Sequence, residues 1–324
     1  MTHAIRVHEY GGPDVLKWEE VKVGEPGPGE VRIKQTAIGL NFIDIYLRTG
    51  LYPQPSFPFI PGMEGAGIVT AVGEGVRDLK VGRRVAYAGP AGAYAEERLI
   101  AADRVVKIPS EVSDETAAAI MLKGMTAQYL LRRTYKVERD TTLLFHAAAG
   151  GVGLIACQWA HSLGATVIGT VGSAGKALIA RAHGCDHVIN IREEDLVAKV
   201  KDYTKGKGVD VVYDSIGKET FPASLDCLKP LGTWVSFGQS SGPVPEFKIT
   251  LLSQKGSLFA TRPSLNDYTR SRKDLVATAN DLFEVIGESK VKIAVNQTYP
   301  LVEAARAHHD LESRLTTGST VLLP

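Results

Sequence analysis

The chain has 324 residues, of which 44% are hydrophobic and 23% charged, and its 37 basic and 36 acidic side chains leave a formal net charge of +1. That length suits two domains of roughly 100–200 residues each, with enough apolar content to bury a core, which excludes a disordered chain. The near-neutral balance argues against broad electrostatic capture of nucleic acid or of an anionic membrane, and no apolar run reaches the length of a membrane span.

The first residues, Met1-Thr2-His3-Ala4-Ile5-Arg6, hold no apolar signal-peptide core, so the cytoplasm is the expected compartment. β-like runs follow at Ile5–His8, Val31–Lys34, Ile68–Val72 and Arg84–Tyr87, broken by Gly11-Gly12-Pro13, Pro26-Gly27-Pro28-Gly29 and Gly73-Glu74-Gly75. Many short strands with Gly and Pro turns predict an irregular barrel. Ser113 then suits the cap of a helix with Asp114 and Glu115 in its first turn, continuing through Thr116–Leu122. From Thr142 the pattern alternates: strands at 142–146, 166–171, 187–190, 209–214, 232–237 and 256–260, with helices at 151–163, 175–183, 193–204 and 218–228 between the first five. On the third helix Asp195 and Lys199 form an i,i+4 pair. Such alternation predicts βαβ units and a parallel, doubly wound sheet. Helices near 271–288 and 301–312 and a strand at 319–323 do not extend that series and are assigned back to the first domain. Cys157, Cys185 and Cys227 form no C-x-x-C pair, cannot supply a four-cysteine zinc site, and read as buried small hydrophobes.

The strongest local signal is Leu143-Leu144-Phe145-His146-Ala147-Ala148-Ala149-Gly150-Gly151-Val152-Gly153, a buried strand running into a small-residue turn that opens a helix. A dinucleotide pyrophosphate must approach backbone N–H groups at a helix N-terminus, so side chains there must be tiny. Set against G-x-G-x-x-G, Gly150 and Gly153 fill the second and third places and Ala148 the first. The alternative is a turn needed only for helix–sheet packing; the further strand–helix alternations behind it favour the nucleotide. An NAD site places an acid about 20 residues on, at the end of the second strand. Here Thr166–Val171 carries none and leads into Gly172-Ser173-Ala174-Gly175-Lys176. With no carboxylate to repel a 2′-phosphate, and Lys176 with the backbone after Gly172 able to bind it, the expected cofactor is NADPH. The plainer reading of Lys176 is a solvated surface lysine.

Across essentially its whole length the chain resembles the medium-chain dehydrogenase/reductase superfamily, and within it the zinc-independent, ζ-crystallin-like NADPH:quinone oxidoreductases. The residues that carry the resemblance are Gly11–Leu16, Gly39–Tyr46, Arg48–Pro53, Pro61–Gly67, Lys123–Ala127, His146–Gln158, Thr261–Leu265 and Leu311–Arg314. It implies a Rossmann domain over 126–262 and a GroES-like catalytic domain of irregular β-barrel type over 1–125 and 263–324. Zinc alcohol dehydrogenases of the superfamily have a cysteine ligand where this chain has Asn41, and Gly-His-Glu where it has Gly62-Met63-Glu64. Neither Asn41 nor Met63 suits zinc. The implied reaction is reduction of a small-molecule quinone, which needs hydride geometry and stabilisation of charge on a carbonyl oxygen.

The resemblance also distributes roles, with nicotinamide and quinone meeting in an interdomain cleft. Asn41, Tyr46 and Tyr52 would face the reaction, and Phe42, Ile43, Asp44, Ile45 and Tyr46 would lie along the cofactor. Thr126 and Tyr129 would orient the nicotinamide end, Gly150, Gly151 and Val152 would meet the pyrophosphate, and Gly172, Ser173, Ala174, Gly175 and Lys176 the 2′-phosphate. Ile191 stands where many relatives stack a tyrosine near the adenine. Ser215, Gly238, Gln239, Ser240 and Ser241 would approach the nicotinamide ribose, with Pro263, Ser264, Leu265 and Arg314 as further contacts. Tyr46 and Tyr52 either donate a proton to a substrate oxygen or only stack in the cleft. Asn41 either bonds the substrate or ties down its loop. His146 reads as structural, His308 and His309 as exposed helix residues, and Arg132-Arg133 as a solvated face. A homodimer or a tetramer of dimers, joined through sheet edges, is implied, with Lys255–Ala260 as the candidate edge. An enone or 2-alkenal reductase is the competing enzyme; an NADPH-binding structural or RNA-binding protein is the competing non-enzyme, and the lack of a basic stripe counts against RNA.

Overall fold

A computed structural model describes all 324 residues. The first stretch carries β1 (Thr2–Val7), β2 (Leu16–Val21), β3 (Glu30–Leu40), α1 (Phe42–Thr49), β4 (Glu64–Val72), β5 (Arg84–Ala88), β6 (Glu97–Ala101), β7 (Val106–Lys107) and α2 (Asp114–Tyr129). Next come β8 (Thr142–Phe145), α3 (Gly151–Ser162), β9 (Thr166–Val171), α4 (Ala174–Ala182), β10 (His187–Asn190), α5 (Leu196–Tyr203), β11 (Val209–Asp214), α6 (Ala223–Asp226) and β12 (Leu228–Ser236). The chain finishes with α7 (Thr250–Gln254), β13 (Phe259–Thr261), α8 (Leu265–Tyr268), α9 (Arg272–Gly287), β14 (Val295–Pro300), α10 (Ala304–Glu312) and β15 (Ser319–Leu323).

Two compact units result: Met1–Met125 with Thr269–Phe283 and Ile293–Pro324, and Thr126–Tyr268 with Glu284–Lys292. In the first unit β3 is the hub. It pairs antiparallel with β4, β6 and β15 in a seven-stranded sheet ordered β14-β15-β3-β4-β5-β7, with β6 off that path. Its register shifts twice against β4, bulges that bend a long strand as barrel closure requires. Val31, Ile33, Ile38, Val69, Val85 and Leu322 of these strands fill the interior together with Ile5 of β1, which pairs with β2 in a separate two-stranded sheet. Ser113 caps α2 as expected, its hydroxyl accepting the Thr116 N–H at 3.1 Å.

In the second unit six parallel strands run β10-β9-β8-β11-β12-β13. The order reverses direction at β8, so a crevice opens beyond its carboxyl end. Leu144, Ile168, Ile189 and Val212 build one face of the core. His146 is wholly buried, its ring nitrogens 3.0 Å from Thr170 Oγ1 and 3.0 Å from Ser224 Oγ, which confirms the structural reading. All three cysteines are buried and free.

Three local expectations change. The helix expected over 218–228 is one turn, Ala223–Asp226. Pro222 brings no N–H to an earlier helix turn, and the Asp214 carboxylate instead gathers Ile216 N–H, Gly217 N–H and the Thr220 hydroxyl into a tight turn. The strand expected at 256–260 starts at Phe259, because Ser257 takes a left-handed conformation (φ +55°) after α7. Asp195 does not pair with Lys199: it caps α5 through the Ala198 N–H at 2.8 Å, and Lys199 pairs with Glu194 at 3.0 Å.

Candidate active site

In the first unit, the site begins where β3 ends and α1 starts. Asn41 is the N-cap of α1 in extended conformation, in a capping box with Asp44, whose carboxylate accepts the Asn41 N–H at 2.9 Å. Gly50 ends the helix in the left-handed region, with φ +80°. Phe42 and Ile43 are half-buried, and Asp44, Ile45 and Tyr46 are buried. The rings form a ladder, Phe42 to Tyr46 at 6.4 Å and Tyr46 to Tyr52 edge-on at 5.3 Å. The Tyr52 N–H donates to the Tyr46 carbonyl at 3.0 Å and fixes the loop behind the ring. One element thus brings together Asn41, Phe42, Ile43, Asp44, Ile45, Tyr46 and Tyr52.

Asp44 faces inward. It is fully buried, Oδ1 has no hydrogen-bond partner, and Oδ2 accepts from Tyr94 Oη at 3.1 Å. Burial pushes its carboxyl up to about 7. Behind it, Tyr94 Oη lies 2.9 Å from His308 Nε2, and His308 Nδ1 lies 3.3 Å from Arg48 Nη1. A guanidinium only donates, so Nδ1 accepts and Nε2 carries the proton toward Tyr94. Arg48, itself buried, closes the chain with two bonds to Glu312, at 2.9 and 2.7 Å. His308 is therefore not the exposed residue expected: it sits on the inner face of α10 with Ala304 and Ala307, and burial with the Arg48 charge lowers its imidazole to about 3. His309 is exposed.

Asn41 also meets a group that sequence reading quoted but left without a role. Its Nδ2 donates to Glu64 Oε1 at 2.8 Å, and Lys123 Nζ reaches the same oxygen at 2.5 Å. A lone lysine inside the apolar run Ala117–Met125, and an acid among the small residues of 62–67, were the available signals.

In the second unit β8 leads into the turn Ala147–Gly150 and α3. Ala147 takes φ +52°, and Gly150 caps α3 with no side-chain bond and no acid in its first turn. The leading N–H groups of this helix have no intrahelical acceptors. A Cβ at Gly153 would stand 2.5 Å from the Ala147 carbonyl oxygen, and at Gly150 3.2 Å, so the turn is closely wound against the helix. Gly151 and Val152 are half-buried at the helix start. At the end of β9, Ser173 caps α4 and accepts the Lys176 N–H at 3.4 Å. Ser173, Ala174 and Gly175 are exposed, and a Cβ on Gly175 would meet nothing within 4 Å. Arg192, not singled out from sequence, places Nε 3.6 Å from where a Gly172 Cβ would be. Arg192 thus lies beside Gly172, Lys176 sits in the first turn of α4, and neither β9 nor Gly172–Lys176 carries an acid. Ile191 is exposed at the end of β10.

Ser215 and 238–241 converge, with Ser240 N–H on the Ser215 carbonyl at 3.0 Å and Ser241 N–H on Ile216 at 2.9 Å. Only glycine fits at 238, where a Cβ would lie 2.7 Å from the Ser215 oxygen. A cavity of about 650 Å³ adjoins, lined by Trp234, Gln239, Phe247 and Arg262 among others. Tyr129 is buried and stacks on Tyr268 at 4.5 Å, while Thr126 is buried one turn before it. Pro263 and Leu265 are half-buried and Ser264 exposed beside α8. Arg314, in the first unit, is exposed after α10 with φ +59°. Arg132 and Arg133 are exposed as expected, and Arg133 also donates to the Tyr268 carbonyl at 2.6 Å. No three His, Cys, Asp or Glu side chains converge as a metal-holding group.

Comparison with known proteins gives the family. Residues 27–110 match the alcohol dehydrogenase GroES-like domain and residues 151–284 the zinc-binding dehydrogenase domain. A quinone oxidoreductase of Pseudomonas aeruginosa is 53% identical over 325 residues, covering all of both chains. A 2-haloacrylate reductase of a Burkholderia species is 48% identical, covering 100% of this chain and 99% of its own. The crystal structure of Escherichia coli quinone oxidoreductase complexed with NADPH superposes with a TM-score of 0.98 at 51% identity, covering all of both chains. With both domain matches and full-length identity above half, the chain belongs to the zinc-independent quinone oxidoreductases of the medium-chain dehydrogenase/reductase superfamily.

Proposed function

We propose that this chain is an NADPH-dependent quinone reductase that works without a metal ion. The observation that carries the reading is the second unit's phosphate ground: a small-residue turn into the N-terminus of α3, which no side chain caps, together with a β9 and following turn that contain no acid and have Arg192 beside Gly172. These residues fit NADPH. The N–H groups of Gly151 and Val152 would complete their hydrogen bonds on the pyrophosphate. Ser173, Lys176 and Arg192 would take the 2′-phosphate, and the Ser215 and Gly238–Ser241 turns the ribose. Bound NADPH supplies the hydride.

The chain's own residues do the rest. Thr126 and Tyr129, with Pro263–Leu265 beside α8, would orient the nicotinamide end, and Arg314 of the first unit stays a further candidate contact. Phe42, Tyr46 and Tyr52 offer an aromatic face against which a planar quinone stacks, excluding water from the reacting carbon. The Tyr46 and Tyr52 hydroxyls stand as donors for a substrate oxygen that gains charge, and stacking is their larger part because a quinone needs little acid assistance. Asn41, with Nδ2 committed to Glu64, acts by holding this face rather than by touching substrate.

The second reading, hydride delivery to the β-carbon of an activated alkene, is favoured by the identity to the 2-haloacrylate reductase. Initial rates with NADPH on benzoquinones, naphthoquinones, 2-alkenals and haloacrylates, run side by side, separate the two. Quinone turnover well above that of every alkene is expected; alkene turnover with all quinones inert would replace the first reading by the second.

We also propose a homodimer and the cytoplasm. Only β12 pairs with β13, all three residues of β13 are exposed, and Phe259 is 61% exposed, an edge suited to a second copy. Unpaired cysteines suit a reducing compartment. No helix is long and apolar enough to cross a membrane.

A further inference from the structure

Glu64 opens β4 with its carboxylate wholly out of solvent. Three partners from two other elements converge on it. Oε1 accepts from Lys123 Nζ at 2.5 Å and from Asn41 Nδ2 at 2.8 Å, and Oε2 accepts the Leu122 N–H at 2.6 Å. Lys123 is 5% exposed. β3 makes room for the carboxylate: a Cβ at Gly39 would stand 2.3 Å from Oε1 and 2.2 Å from the Ala118 carbonyl oxygen.

A buried ion pair is a poor way to stabilise a fold. Desolvating two charges costs several kcal/mol per ion, and well-packed apolar residues of similar volume often serve as well or better. What an apolar pair cannot do is hold an amide by a charge-assisted hydrogen bond. Here the amide is that of Asn41, the residue that caps α1 and fixes the direction in which Phe42 and Tyr46 leave the helix. A second buried carboxylate, Asp44, lies one turn along, so the Lys123 charge also offsets what would otherwise be two anions in one interior.

We infer that Lys123 and Glu64 are positioning residues for quinone reduction, locking the Asn41 amide and with it the aromatic face of α1. The inference rests on the assignment of Asn41–Tyr46 to the reaction made above. It requires that the pair act on turnover through Asn41, separately from folding.

The test uses the full-length protein and four variants: Lys123→Met with Glu64→Leu as a double, Asn41→Ala alone, the three together, and Glu64→Gln. Each is measured for thermal midpoint, NADPH affinity by fluorescence titration, and kcat and KM with benzoquinone. The double variant is expected to fold and to bind NADPH within about twofold of the parent, while kcat falls about tenfold. Asn41→Ala falls comparably, and the triple variant falls no further than the double, because coupled residues are not additive. A double variant with the parent's kcat overturns the inference, as do losses that multiply in the triple. Should the double fail to fold, Glu64→Gln decides: it keeps the volume but replaces one acceptor by a donor, so lowered kcat at unchanged NADPH affinity supports the inference and parental kcat overturns it. If Asn41→Ala alone leaves both kcat and KM at parental values, the assignment of α1 to the reaction falls and the inference with it, an outcome distinct from failure of the pair with Asn41 still essential.

Discussion

Arg192 lies beside Gly172 and Lys176 follows in the first turn of α4, and a 2′-phosphate is the ligand proposed for both. Lys176→Ala should raise KM for NADPH about tenfold and leave KM for NADH nearly unchanged, as expected when one charge-assisted contact is lost. Equal effects on both nucleotides in steady-state assays would remove the assignment. At Tyr52 the balance between stacking and proton donation is measurable: Tyr52→Phe should retain kcat within about tenfold, whereas Tyr52→Ala should lose more, because only the second removes the ring. The buried line Asp44–Tyr94–His308 makes a stability prediction with opposed signs. Asp44 holds its proton to about pH 7 in the folded protein but releases it near pH 4 when unfolded. Its contribution is therefore present below pH 4 and lost as pH rises to about 7. His308 titrates near 3 folded and near 6.5 unfolded, so its contribution is present above pH 6.5 and lost as pH falls toward 3. In denaturant titrations across this range, the stability of the parent relative to Asp44→Asn should decline with rising pH, and relative to His308→Gln it should increase. Slopes of the same sign would contradict the protonation states drawn here.

At the scale of elements, the turn before α3 and the free edge at β13 carry the consequences. Gly153→Ala drives a Cβ to 2.5 Å from one backbone oxygen and 2.7 Å from another, neither of which can yield as a side chain does. NADPH affinity should fall more than about tenfold with a lowered thermal midpoint, checked by titration and melting. If the proposed dimer forms through β13, Phe259→Glu should leave a monomer in sedimentation at micromolar concentration where the parent sediments as a dimer, since it puts a charge where the exposed aromatic would be covered. An unchanged sedimentation coefficient would place any assembly elsewhere. The βα alternation was legible because the strands are largely apolar and two of the helices begin with side-chain caps, Ser173 and Asp195. The one-turn α6 was not, because Asp214 collects its hydrogen bonds across a turn that has no helical period. β13 starts three residues later than expected and ends one later, because the left-handed Ser257 carries no mark in composition.

For the whole molecule, the family was readable from residues that lie close in sequence, the glycine turn, the missing acid after β9 and the Asn41–Tyr52 segment among them, and the roles proposed for these residues rest on the same stretches. What remained hidden depends on distant pairings. Glu64 and Lys123 are 59 residues apart, and Arg48 and His308 are 260 apart, so no local pattern joins them. His308 looked like a surface histidine because the groups packed against it, Arg48 and Tyr94, are distant in sequence. The chemistry attributed to the molecule is metal-free hydride transfer from a phosphorylated nicotinamide to a quinone. Its most direct measurement is the initial rate of benzoquinone reduction by protein dialysed exhaustively against chelator, with NADPH and with NADH, and with zinc content determined on the same sample. Full turnover on NADPH in zinc-free protein, well above that on NADH, is the result expected. Activity that disappears on chelation and returns only with zinc, or quinone reduction that prefers NADH, would contradict it.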